Sequence, residues 1–132
     1  MYTYSTKIHL RDTDATGILY FTELFRLALE SFESFLFYKQ YPLSKLFATP
    51  YRMPIVHAEA DYFHPLCVSD EVEISLSLVK IGARSIHIQY TFYKKGSSLL
   101  VGKVDLIHAF IIEGENEASQ IPSEIVSIFT TC

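Results

Sequence analysis

At 132 residues, with 49% hydrophobic and 20% charged, the chain is too apolar for a disordered tail and sized for one packed domain spanning residues 1–132. A formal charge of −4 and a pI near 5.7 speak against a nucleic-acid partner. There is no apolar run of membrane-spanning length and no signal-peptide core at the start, so the expectation is a cytoplasmic protein with no membrane partner.

Residues 3–10 alternate, with Tyr4, Thr6, Ile8 and Leu10 against Thr3, Ser5, Lys7 and His9, the period of a first strand. The next stretch, RDTDATGILYF (11–21), sets Asp12 and Asp14 around a threonine, then Gly17, then turns apolar. Residues 22–40 contain no Gly or Pro and carry Leu24, Phe25, Leu27, Ala28, Leu29, Phe32, Phe35 and Leu36. This pattern predicts a long helix buried on nearly all sides. Residues 41–51, with two prolines, read as an irregular connection holding one short helical turn.

Strands follow. Residues 52–66 put His57, Glu59 and Asp61 on one face and Val56, Ala58, Ala60 and Tyr62 on the other. Residues 71–81 and 84–95 alternate strictly, and KKGSS after them predicts a hairpin turn. Residues 99–112 read as one last long strand, with Gly102 suggesting a bulge. Pro122 and Ser123 suit the start of a short helix. The order implies an α+β fold, one antiparallel sheet wrapped around one long helix. Four or five strands cannot cover so apolar a helix, so a second copy is expected, an edge strand of each pairing across a two-fold axis.

Two readings of residues 12–21 stay open on local grammar. Asp, Thr and Asp accept hydrogen bonds from free N–H groups at a helix start, and Gly17 allows a backbone closed to other residues, which together describe a cap. The same free N–H groups can polarise a carbonyl and hold an oxyanion while a neighbouring carboxylate attacks it or activates water.

The run Asp12-Thr13-Asp14-x-x-Gly17-Ile18-Leu19-Tyr20, between a short strand and a long helix, resembles the hot-dog-fold acyl-CoA thioesterases, more narrowly the 4-hydroxybenzoyl-CoA thioesterase-like group. The order of elements is similar from about residue 3 to about 112, and MPIVHAEADYFHPLCVSDEVEI resembles the family's second and third strands. The resemblance implies a thioester hydrolase with an acyl-CoA substrate, no cofactor, and a homodimer or homotetramer admitting the pantetheine arm between protomers. It implies that Asp14 is the catalytic carboxylate, that Asp12 is structural, that Gly17 leads into the helix, and that the backbone N–H near Tyr20 and Phe21 polarises the thioester. Many relatives carry His or Tyr where this chain has Phe21, a departure from the short-chain and hydroxybenzoyl branches. The Tyr20 and Phe21 pair, Glu30 with Glu33, and PIVHAEADY are similar to the 1,4-dihydroxy-2-naphthoyl-CoA hydrolases of quinone biosynthesis. An aromatic-rich pocket suits a flat bicyclic acyl group. Arg84 and Ser85 match positions where relatives contact coenzyme A.

Of the remaining candidates, His57 and Glu59 lack the second histidine or cysteine that a metal site needs, so no metal is expected and a pocket-lining role is the alternative. Glu30, a carboxylate on an apolar helix, is the second candidate for a catalytic group. His64, His87 and His108 read as structural, Cys67 as a packed thiol and Cys132 as a frayed one. A dehydratase acting on acyl-carrier protein is the rival within this fold, but no histidine stands near Asp14. A non-catalytic acyl-binding scaffold is the rival outside it.

Overall fold

The computed structural model describes residues 2–130; Cys132 lies outside them. Five strands, β1 (Tyr2–Lys7), β3 (Ile55–Tyr62), β4 (Glu71–Ile81), β5 (Ser85–Lys94) and β6 (Leu100–Ala109), form one sheet in the order β1-β4-β5-β6-β3. Every neighbouring pair is antiparallel. Strict alternation in β4 and β5 turns Val72, Ile74 and Leu76, with Ile86, Ile88, Tyr90 and Phe92, to the inner face, where all are buried. Two short strands, β2 (Tyr51–Arg52) and β7 (Ile111–Ile112), make a separate ribbon.

Helix α1 (Glu23–Tyr38) lies against the inner face and buries Leu24, Leu27, Ala28, Ser31, Phe32 and Leu36. Burying a side chain such as Leu27 contributes about 2–3 kcal/mol. The helix stops at Gln40, which takes a left-handed φ of 62°, followed by Pro42 and the short helix α2 (Leu43–Phe47). This is the α+β hot-dog arrangement that the sequence resemblance implied.

The helix is less enclosed than its composition suggested, because Leu29 and Phe37 remain exposed. Helix α3 (Ser123–Thr130) provides cover that the strands do not, placing Phe129 5.7 Å from Phe35 and 6.2 Å from Phe32, ring centre to ring centre.

Three strand boundaries differ from the reading of the sequence. The first strand stops at Lys7, because residues 10–12 close into a 3₁₀ turn and leave Leu10 exposed. Pro54, which has no N–H, parts β2 from β3. The long strand at 99–112 breaks at Phe110, whose N–H still donates to the Arg84 carbonyl beside β5 while Ile111 and Ile112 turn to pair with β2. The expected bulge is present at Val101, beside Gly102, where the β5 register slips between Phe92 and Tyr93. The lack of a side chain at Gly102 matters, since a Cβ there would stand 3.1 Å from Leu24 Cδ2.

Candidate active site

The residues after the 3₁₀ turn fold into a small hairpin. Thr13 bridges Leu19, and the Asp14 N–H donates to the Ile18 carbonyl at 2.9 Å. The Gly17 N–H closes a four-residue turn on the Asp14 carbonyl at 3.1 Å, and Gly17 takes a φ of +79° that favours glycine. Asp14 is therefore the first residue of a turn, and its side chain behaves accordingly. Its Oδ1 accepts from the Thr16 N–H at 2.8 Å and from the Thr16 hydroxyl at 2.6 Å. The Thr16 hydroxyl, then the Thr16 and Ile18 backbone, hold the Asp14 carboxyl below its ordinary pKa of 3.8. The group is ionised, exposed, and has Oδ2 unengaged among the described residues.

Asp12 has the opposite setting. Only 1% of it is exposed. Its Oδ2 accepts the His9 N–H at 2.8 Å, and its Oδ1 meets Arg26 Nη2 of α1 at 2.7 Å. Its carbonyl accepts the Tyr20 N–H at 2.9 Å. One residue thus clamps both ends of the hairpin and ties them to the first turn of the helix. Arg26 also pairs with Glu23 and reaches Glu30 at 3.4 Å.

Neither aspartate caps α1. The residue before the helix is Thr22, which makes no side-chain cap, and the hairpin stands between it and Asp14. The capping reading is corrected to a turn at Asp14 and a 3₁₀ cap at Asp12. The Tyr20 N–H, expected as a backbone donor, is taken by Asp12; Gly17 likewise spends its N–H in the turn. The Phe21 and Thr22 N–H groups have no acceptor among the described residues. The Tyr20 carbonyl accepts the Glu23 N–H at 2.9 Å. In that trans peptide the Phe21 N–H therefore points the other way, out of the helix start.

Beside this helix start lies a cavity of about 280 Å³, walled by Ile18, Leu19, Phe21, Tyr62, Phe63 and Leu66 among others. Tyr62, the last residue of β3, donates its hydroxyl to the Phe21 carbonyl. Sequence reasoning missed Tyr62, Arg26 and Thr16. An Asp followed two residues later by Thr is a local turn signal that was legible; the other two act over long separations.

The other candidates stand elsewhere in the protomer. His57 and Glu59 are 3.1 Å apart on the outer face of the edge strand β3, and Glu59 faces Asp105 in register, on the side of the sheet away from α1. Arg84 and Ser85 sit where β5 begins, the opposite end of the sheet from the Asp14 hairpin, which contacts Leu66, Cys67 and Val68. Glu30 lies two turns into α1, accepting from the Tyr4 hydroxyl at 2.9 Å and walling a second, open cleft with Glu33, Phe37 and Phe47. Cys67 is exposed rather than packed. His64 lines the cavity, His87 pairs with Asp105 at 2.9 Å, and His108 is buried. No group of side chains suited to a metal ion occurs among the described residues, and no described helix is long and apolar enough to cross a membrane.

Known proteins share this fold. The profile of the thioesterase-like superfamily matches residues 8–129. A 1,4-dihydroxy-2-naphthoyl-CoA hydrolase of Nostoc punctiforme is 31% identical over 98% of this chain and 87% of its own. The crystal structure of a 1,4-dihydroxy-2-naphthoyl-CoA thioesterase from Synechocystis superposes with a TM-score of 0.92, covering 98% of this chain and 96% of that one at 24% identity. A gentisyl-coenzyme A thioesterase superposes at 0.85, covering 98% of this chain and all of that one at 25% identity. The chain belongs to the thioesterase-like superfamily and is a thioester hydrolase of the hot-dog fold.

Proposed function

We propose that the protein hydrolyses an aromatic acyl-CoA, 1,4-dihydroxy-2-naphthoyl-CoA first among them, with Asp14 as the catalytic carboxylate and the Phe21 N–H, aided by Thr22, as the oxyanion site. The observation that carries the reading is an exposed, ionised Asp14 in a hairpin that Asp12 ties to the helix start, where two backbone N–H groups have no acceptor among the described residues. Asp14 Oδ2 either adds to the thioester carbonyl carbon or takes a proton from the water that adds. Both routes put negative charge on the carbonyl oxygen, where the N–H groups stabilise it without reorganising. Collapse of the tetrahedral species breaks the C–S bond and releases coenzyme A as its thiolate. A mixed anhydride, where it forms, is then opened by water to regenerate Asp14. No step calls for a metal or redox group.

The aromatic acyl group is supported by Phe21, Tyr62 and Phe63 around the cavity, since flat rings stack and bury well there, and by the names of the similar proteins. Gentisyl- and 4-hydroxybenzoyl-CoA are smaller esters with the same chemistry, and a place in quinone biosynthesis follows only if the naphthoyl ester is preferred.

The distance between the Asp14 hairpin and Arg84 within one protomer supports a dimer. Strand β3 is an uncovered edge with Ile55 and Val56 exposed, and Leu29 of α1 is exposed as well. Ile55 lies in one row with His108 and Ile86, next to Ser85. Antiparallel pairing of two copies along β3 sets the Ile55 end of one beside the Tyr62 end of the other. That brings the Arg84 and Ser85 end of a second copy toward the first copy's cavity, where coenzyme A phosphates need a cation. His57 and Glu59 join the site only in such a pair.

The test is Asp14→Asn with a panel of naphthoyl, hydroxybenzoyl and aliphatic thioesters. The expected result is a fall in kcat of about 10²- to 10⁴-fold with KM and Tm unchanged, and a clear preference for the naphthoyl ester in the parent. An Asn variant of full activity removes Asp14 from the chemistry.

A further inference from the structure

The helix-start donors are backbone groups, so nothing about their aim is written in their own side chains. Their aim depends on what holds the two peptide planes from Tyr20 to Thr22. The first, which joins Tyr20 to Phe21 and carries the Phe21 N–H, is held through its carbonyl by the Glu23 N–H, and the plane before it is held by Asp12 on the Tyr20 N–H. The second, which joins Phe21 to Thr22, lies before the first helical residue and makes no backbone hydrogen bond among the described residues. Among the described residues its carbonyl is held by one group, the hydroxyl of Tyr62, which reaches it across a separation of 41 residues from the end of β3.

We propose that Tyr62 is a positioning residue of the oxyanion site: its hydroxyl holds the Phe21 carbonyl and so sets the direction in which the Thr22 N–H, the second donor, faces the thioester. The proposal rests on the reading of Phe21 and Thr22 as oxyanion donors and names the side chain that orients the second of them. In a trans peptide the C=O and N–H are antiparallel, so fixing the Phe21 carbonyl toward β3 fixes the Thr22 N–H on the opposite side. It also fixes ψ of Phe21, and with it the residue whose N–H faces out of the helix. The anchor is well placed for this work. Tyr62 closes an eight-residue strand paired with β6 through Gly102, and the next two residues, Phe63 and His64, both donate to the Val101 carbonyl at 3.0 and 3.2 Å. Burial raises the Tyr62 phenol above its ordinary pKa of 10.0, so the proton it donates stays in place at neutral pH. Because the Tyr62 ring also lines the cavity, the acyl group and the second donor are referred to the same side chain.

Tyr62→Phe tests this, since it keeps the ring and removes the hydroxyl from a residue that is 48% exposed and tolerates the change without unfolding. The expected result is a fall in kcat of about tenfold, the value of one well-aimed hydrogen bond, with KM within about twofold and Tm nearly unchanged. The second readout is the infrared band of a ¹³C-labelled thioester carbonyl in 1,4-dihydroxy-2-naphthoyl-CoA bound to Asp14→Asn. Polarisation by the donors moves the band to lower frequency, and adding Tyr62→Phe should return it toward its position in water. A Tyr62→Phe enzyme with parental kcat and an unmoved carbonyl band overturns the proposal while leaving Asp14 and the donors standing. A rise in KM alone also overturns it, reducing Tyr62 to a wall of the cavity. If Asp14→Asn hydrolyses at the parental rate, or its complex shows no polarised carbonyl, the underlying reading fails and the proposal fails with it.

Discussion

Asp12 and Asp14 stand two residues apart, one with 1% of its surface exposed and the other open to solvent. The buried carboxylate has every acceptor occupied, by the His9 N–H and the Arg26 guanidinium. The exposed one binds Thr16 through Oδ1 and leaves Oδ2 without a partner among the described residues. A carboxylate buried at 1% exposure and paired with a guanidinium is a weaker base and nucleophile and is closed to an incoming carbonyl carbon or water. The hairpin divides its two acids by this rule, one spent on holding the turn to the helix and the other left free, as the chemistry proposed for Asp14 requires. The comparison also explains why the helix cap is poor. Thr22 makes no side-chain cap, forgoing about 1 kcal/mol, and Asp12 instead ties the hairpin to the first turn of the helix through Arg26. The Phe21 and Thr22 N–H groups, which precede the positions a Thr22 cap would serve, have no acceptor among the described residues.

The largest effect expected from breaking this division is on Asp12. Asp12→Ala strips Arg26 of its buried partner and leaves the His9 N–H unsatisfied. The cost is about 2–3 kcal/mol, below the full value for a buried pair because the Arg26 side chain is 39% exposed. Thermal unfolding should show it as a fall in Tm of roughly 10 °C. Asp14→Asn should show no such fall while losing its turnover. If instead the Asn variant unfolds easily and the Ala variant is as stable as the parent, the roles are reversed.

The division was only half legible in the sequence. Period-two alternation over 71–81 and 84–95 and the Gly-free run at 22–40 gave the sheet and the helix, because both patterns are written in neighbouring residues. The motif around Asp14 was legible for the same reason. What could not be read was partnership across the chain. Nothing near residue 62 says that a strand-end tyrosine meets the Phe21 carbonyl, and nothing near residue 12 says that Arg26 will point back from the helix. His57 and Glu59 show the same limit from the other side. Alternation put them on one face of a strand correctly, but which face of the sheet that would be depends on where α1 packs.

Acid separates the two halves of the comparison further, with an effect of intermediate size. His108 is 2% exposed, with Nδ1 on the Met53 carbonyl at 3.1 Å, Nε2 unpartnered among the described residues, and its ring stacked 4.9 Å from Phe32. Burial pushes its pKa below 6.5. The unfolded chain takes up a proton near pH 6.5 while the folded chain refuses it, so stability falls as pH drops below about 6.5 and levels off only below the folded pKa. Above 6.5 both states are neutral there and the group contributes no slope. His108→Phe should lose less Tm than the parent between pH 7 and 5. An equal loss in both proteins would move the acid sensitivity to other groups. Asp14 stays ionised across that window, so activity lost there is lost with the fold and not with the carboxylate.

The smallest effect belongs to Thr16, and it sharpens the exposed half. Thr16→Val keeps the N–H that donates to Asp14 and removes the hydroxyl, the largest cause of that carboxyl's lowered pKa. The sign follows directly. A carboxylate that loses a hydrogen bond to its charged form holds its proton more tightly, so its pKa moves up toward 3.8. The acid limb of kcat/KM should move upward with it. At pH 7 Asp14 is ionised in both proteins, and turnover should agree within about twofold if Thr16 only tunes the charge. A large loss at pH 7 would mean instead that the Thr16 hydroxyl fixes the rotamer of Asp14, turning Oδ2 toward the substrate. The exposed aspartate would then be as dependent on a positioned neighbour as the buried one, and the difference between them would be one of solvent access alone.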